Sequence, residues 1–86
     1  MNTEFLLMAQ YNGLAVIPVN LICRDYFQHL TPDKFIRKVS VGEIIIPLIS
    51  IEGSQKAAKG VHLQDLADYI ETRRAAAKKE ADQLAS

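Results

Sequence analysis

Lys34, Arg37 and Lys38 are three cations at helical spacing in the middle of the chain. Positions i, i+3 and i+4 share one face of an α-helix. Ammonium and guanidinium groups presented together from a short helix can pair with phosphates and reach base edges in a DNA major groove. The residues around them mark that helix out. Thr31 is a good N-cap, its hydroxyl able to accept from an unpaired amide of the first turn. Pro32 follows at the first helical position, where a missing N–H costs nothing. Gly42 stands where a left-handed residue would end the helix. Phe35, Ile36 and Val39 form its apolar back. The set expected to contact DNA from this helix is Thr31, Asp33, Lys34, Arg37 and Lys38.

A second helix must hold the first in place. Pro18 opens it and it runs to about His29, with Ile22, Cys23, Tyr26, Phe27 and Leu30 as a wide apolar stripe. The gap to Thr31 is short, as in a helix-turn-helix. Arg24, Asp25 and Gln28 fall off the stripe, and Arg24 is better read as pairing with Asp25 or another surface acid than as a phosphate contact. After Gly42, Glu43 to Ile51 is rich in β-branched residues and reads as extended, an edge or bulged strand because Pro47 denies a ladder bond. Glu52 to Gly60 is a polar loop and Val61-His62 returns as a short strand. Helix, strand, basic loop and strand make a wing, whose Ser54, Gln55, Lys56 and Lys59 are candidate phosphate or minor-groove contacts. From Leu63 the chain is helical almost to its end, with His62 as a cap and a stripe of Leu63, Leu66, Ile70, Ala77, Ala81 and Leu84.

The N-terminal apolar segment fits two elements. Thr3 to Gln10 can be a strand, with Phe5, Leu7 and Ala9 on one face and Leu6, Met8 and Gln10 on the other, or a short helix; the strand is preferred. Tyr11-Asn12-Gly13 is a turn signal, followed by a short apolar continuation, Leu14 to Ile17. Phe5, Leu6, Leu7 and Met8, and secondarily Ala77, Ala81 and Leu84, are apolar material beyond what a small core absorbs. They are the expected interface of a homo-oligomer.

With 86 residues, 49% of them apolar, the chain makes one small globular domain: 1–17 the N-terminal segment, 18–62 the helix-turn-helix and wing, 63–86 the C-terminal helix. No apolar run approaches the roughly 20 residues of a membrane helix, and the first residues lack signal-peptide features. Lone Cys23 excludes an internal disulfide and suits a reducing cytoplasm. One cysteine and two distant histidines, His29 and His62, do not make a zinc site, and capping or turn packing explains the histidines better than catalysis. No phosphate loop or nucleophile elbow is present, so neither an enzyme nor a cofactor is expected. Net charge is zero, yet Thr31 to His62 holds five cations against three anions, and DNA affinity follows local neutralisation of phosphates.

The segments Phe5–Tyr11, Val16–Pro18, Cys23–Phe27 and Leu30–Pro32 resemble the bacterial pyocin activator (PrtN-type) proteins. So do Arg37–Val39, Gly42–Ile44, Pro47, Ser54–Ala57, Gly60–Leu63 and Asp65–Ala67. The resemblance covers nearly the whole chain in order, apart from about the last dozen residues. It implies a transcriptional activator of phage-tail-like bacteriocin genes in the DNA-damage response. The middle also resembles the winged helix-turn-helix of phage excisionases and AlpA-type proteins. Together these give an α+β expectation: a small excisionase/MerR-like winged helix-turn-helix with an N-terminal strand-like segment and a long C-terminal helix. Its expected partners are double-stranded promoter DNA, further copies of itself and RNA polymerase, with no membrane. The alternative is an oligomeric adaptor with weak or no specific DNA readout.

Overall fold

The computed structural model describes residues 2–53 and 57–85 of the chain. In order, the elements are α1 (Thr3–Gln10), β1 (Val16–Pro18), α2 (Val19–Tyr26), α3 (Pro32–Ser40), β2 (Ile49–Ser50), β3 (Lys59–His62) and α4 (Leu63–Ala85). Central β3 pairs antiparallel with both other strands, in the order β1-β3-β2. The register sets Val16 opposite His62, Pro18 opposite Gly60, and Ile49 opposite Gly60 from the other side. Gly60 is required there. A Cβ would lie 2.6 Å from Val16 Cγ1 and 2.9 Å from the Ile17 carbonyl oxygen. Helices pack around this sheet over a core that includes Leu7, Ile17, Ile22, Phe35, Val61 and Leu66. The result is α+β with a long C-terminal helix, consistent with a small winged-helix-like domain.

Thr3–Gln10, expected as a strand, is a helix. Asn2 caps it, its side-chain oxygen accepting from the Glu4 amide at 2.7 Å. At the far end the Tyr11 amide donates to the Leu7 carbonyl, and Asn12 and Gly13 turn the chain out with positive φ. Leu7 and Tyr11, one helical turn apart, are both buried, whereas Phe5 is 63% exposed. A strand would have put Phe5 and Leu7 on one face. Leu7 is therefore core, and the oligomer surface expected at Phe5, Leu6, Leu7 and Met8 loses it; Phe5, Leu6 and Met8 remain exposed.

Two further expectations change. Glu43 to Ile51 is not one strand: only Ile49–Ser50 joins the ladder. Ile44 and Ile46 are buried while Ile45 stands 84% exposed, so the side chains alternate without ladder partners. Pro47, with no N–H to give, sits just before the pairing begins. Val16 and Ile17, read as part of a short apolar continuation, and Pro18, read as opening the second helix, supply the strand β1. Pro18 also serves as the N-cap of α2, which stops at Tyr26, short of His29.

A polar joint ties α1 to α2. The Asp25 carboxylate accepts from Arg24 Nε at 2.8 Å, from Tyr11 Oη at 2.7 Å and from Gln10 Nε2 at 3.3 Å. Tyr26 Oη donates to Gln10 Oε1 at 2.7 Å. Arg24 thus takes the pairing role and not a free phosphate-seeking one. Its hydrogen bonds, then that of Tyr11, hold the Asp25 carboxyl down to about 2. Burial first, and Asp25 second, push the Tyr11 phenol far above its ordinary value. Burial alone raises the Cys23 thiol.

In α4, Leu63, Leu66 and Ala67 are buried and Tyr69 and Ile70 half-buried, and everything from Glu71 to Ala85 is exposed. His62 caps the helix as expected, its Nδ1 accepting from the Gln64 amide at 3.0 Å. The Thr3 hydroxyl donates to the Glu71 carboxylate where α4 leaves the domain. Among the described residues no helix is long and apolar enough to cross a membrane.

Leu7→Ala should destabilise the domain by about 2–5 kcal/mol, the range for buried leucines, and exposed Phe5→Ala by far less. Urea unfolding followed by circular dichroism measures both. The Asp25 joint also sets an acid limit. Its folded value, about 2, lies below the ordinary 3.8, so its stabilisation is complete above about pH 4 and is lost as pH falls towards 2. Asp25→Asn should remove that step from an acid titration of stability.

Candidate nucleic-acid interface

α3 forms as its sequence dictates. The Thr31 hydroxyl accepts from the Lys34 amide at 3.3 Å, and Pro32 occupies the first turn. At the other end the Val41 amide donates to the Arg37 carbonyl, and Gly42 takes φ 82° with its amide on the Val39 carbonyl. The back of the helix is fixed by Phe35, fully buried, with Ile36 and Val39 half-buried beside it. The Phe35 ring meets Phe27, at the end of α2, with centroids 4.9 Å apart and planes inclined 59°.

Lys34 and Arg37 consequently face outward, and among the described residues neither has an ion-pair partner. Lys38 is different. Its Nζ lies 2.9 Å from Glu43 Oε2, because the turn at Gly42 folds the chain back along the end of the helix. Both partners are substantially exposed, so the pair is weak and exchangeable. Lys34, Arg37, Lys38, Val41 and Glu43 line a shallow groove of about 370 Å³. Asp33 is exposed in the first turn, where the helix dipole favours an anion. The Thr31 hydroxyl is already used as the cap.

Val41 and Glu43 belong to this surface, and the sequence does not announce them. Glu43 follows Lys38 by five residues, off any helical spacing, so only the reversal at Gly42 brings the two together. Val41 is 65% exposed.

On the hairpin, Lys59 lies in β3 opposite Ser50, and its Nζ donates to Ser50 Oγ at 2.5 Å. It therefore bridges β2 and β3, half-buried, instead of standing free at a loop tip. Ser54, Gln55 and Lys56 lie outside the described residues. His29 rests near Phe27, centroids 6.3 Å apart, as turn packing. Of the expected interface residues on α4, Ala77, Ala81 and Leu84 are all exposed, Leu84 by 82%.

The structure thus gathers Lys34, Arg37 and Lys38 along one groove of α3, while the exposed Phe5, Leu6 and Met8 belong to another helix, α1. A family model described as pyocin activator protein PrtN matches residues 3–77. No curated protein and no solved structure matches the chain. The match begins with α1, takes in α2, α3 and all three strands, and ends at Ala77 within α4. The chain belongs to the pyocin activator protein PrtN family, regulators of transcription that act on pyocin genes.

Proposed function

We propose that the chain activates pyocin genes by binding double-stranded promoter DNA as a homo-oligomer, within the cytoplasm and as part of the DNA-damage response. It is a non-enzymatic regulator in this scheme, and contact with RNA polymerase or bending of the promoter follows from binding. The observation that carries it is the outward face of α3, where Lys34 and Arg37 have no ion-pair partner among the described residues, over a back locked by Phe35. A helix that enters a major groove needs a rigid support and donors free to leave water for base edges and phosphates. Lys38 joins them by exchanging Glu43 for phosphate, while Thr31 and Asp33 mark the N-terminal end of the reading helix. Ser54, Gln55 and Lys56 make the accessory phosphate contacts of the wing, and Lys59 joins them by exchanging its hydrogen bond to Ser50 for phosphate. One copy has zero net charge, so two copies on neighbouring half-sites supply the affinity a single small cationic face lacks.

A second reading, an oligomeric adaptor without specific DNA readout, is favoured by one observation. Phe5, Leu6 and Met8 expose 63%, 52% and 42% of their surface on a single short helix.

Promoter binding in a mobility-shift titration separates the two. Arg37→Ala should cost about 1–3 kcal/mol with the fold intact, and Lys34→Ala combined with it should abolish selectivity. Lys38→Ala should cost less, because leaving Glu43 offsets part of its gain from phosphate. Wild-type affinity in the Lys34→Ala, Arg37→Ala, Lys38→Ala triple variant would establish the adaptor instead. Lys56→Ala with Lys59→Ala should weaken binding to all sequences alike and flatten the salt dependence.

A further inference from the structure

Charge along α4 is sorted into blocks. From Leu63 to Glu71 it carries Asp65, Asp68 and Glu71 and no Lys or Arg; from Thr72 to Lys79 it carries Arg73, Arg74, Lys78 and Lys79 and no acid. Residues 65–71 and 73–79 are equal in length and mirror each other about Thr72. Within one chain the blocks lie end to end, and among the described residues only Glu71 and Arg74 pair, at 3.7 Å. Laid antiparallel on a second copy about Thr72, the acidic block of each helix would lie along the basic block of the other, with Asp65 level with Lys79 and Glu71 level with Arg73, while Asp68 is level with Ala76. Such a charge sequence is self-complementary, as a two-fold interface requires.

The geometry of the domain leaves that position open. Leu63, Leu66 and Ile70 turn α4 towards the core, so Asp65, Asp68, Thr72, Ala75 and Lys79 share its opposite, outward side. Beside this side runs a groove of about 430 Å³, lined by Glu43, Ile45, Pro47, Asp65, Tyr69 and Thr72, among others. Ile45 presents 84% of its surface there. An arm entering the groove would cover that isoleucine with an aliphatic lysine stem and set the ammonium near the carboxylates of Glu43, Asp65 and Asp68, which outnumber the one cation of the lining, Arg73. The arm has the reach, since residues 65–79 span about 21 Å of helix. Thr72, Ala75 and Ala76 are small, which lets two helices approach closely where they cross.

We propose that two copies of the chain pair through α4, antiparallel and crossing at Thr72, with Lys79 of each copy meeting Asp65 of the other beside Ile45. This pairing rests on the chain acting as a homo-oligomer and names the surface that makes it one. Its face is the outward one, distinct from the Ala77, Ala81 and Leu84 stripe and from Phe5, Leu6 and Met8 on α1.

Charge reversal of the full chain, read by sedimentation and light scattering at micromolar concentration, tests it. The unaltered protein should have about twice the 9.6 kDa chain mass. K79E sets a second carboxylate against Asp65 and should raise the dimer dissociation constant about tenfold or more; D65K should do the same by opposing two ammonium groups. An equal mixture of the two variants should regain dimers as heterodimers, because one of the two symmetry-related contacts then joins an unaltered Lys79 to an unaltered Asp65 and the other joins the two reversed charges. Asp65 lies in the first turn of α4, so helix content of D65K is checked by circular dichroism. Should D65K unfold, D65N added to K79E replaces it and should restore part of the loss. A dimer indifferent to K79E would overturn the α4 pairing and leave homo-oligomerisation standing through another surface. A strict monomer, free and on promoter DNA, would remove both.

Discussion

The contact of Phe35 with Phe27 decides how the functional face is presented. Aromatic pairs with inclined rings and centroids near 5 Å add specific orientation to the burial of large apolar area. Phe27 also lies 5.9 Å from the Tyr69 ring, so a single side chain at the end of α2 touches both α3 and α4. With Phe35 held inward and fully buried, helical geometry sends Lys34 and Arg37 to the far side. The cationic surface is therefore the complement of one ring's position. Ile36 and Val39 complete the packed back, and Glu43 holds Lys38 at the edge of the face.

What is legible in the sequence depends on whether the signal is local. α3 can be read from start to stop because Thr31, Pro32 and Gly42 each act on backbone within one turn, and His62 announces α4 in the same way. Thr3–Gln10 misleads because its apolar residues fit an alternating pattern as well as a helical one. The deciding facts are the Asn2 cap and the buried face shared by Leu7 and Tyr11. The strand β1 escapes notice because its partner is some forty-five residues away, at Val61 and His62, and no nearby residue records that pairing. The ion pair of Lys38 with Glu43 is hidden for a related reason: it exists only once the Gly42 turn has formed.

Zero net charge conceals a division of labour among the cations. Arg24 serves the α1–α2 joint, Lys38 the end of α3 and Lys59 the β2–β3 rungs. Each holds a defined neighbour and has to leave it before it can meet a phosphate. Lys34 and Arg37 have no such duty among the described residues. Partition of this kind makes the field near one face positive while the whole molecule stays neutral, so overall charge is a poor guide to what a small domain can attract.

The pairing of β1 with β3 also closes a ring in the chain. Val16 and His62 face each other across the ladder, and α2, α3 and the β2 strand all lie between them. The two central helices thus sit on a long loop with clasped ends, and α1 and α4 are tails that leave from the clasp. Closure entropy grows only slowly with length, about 0.6 kcal/mol for each doubling. Extra residues between β2 and β3 would therefore be tolerated at little cost to the fold. A single residue inserted within Val16–Pro18 would not: the side-chain period of a strand is two, so one step turns Ile17 from the core to solvent and undoes the clasp. Variation in length is cheap in the connection between β2 and β3 and forbidden at the fastening of the ring.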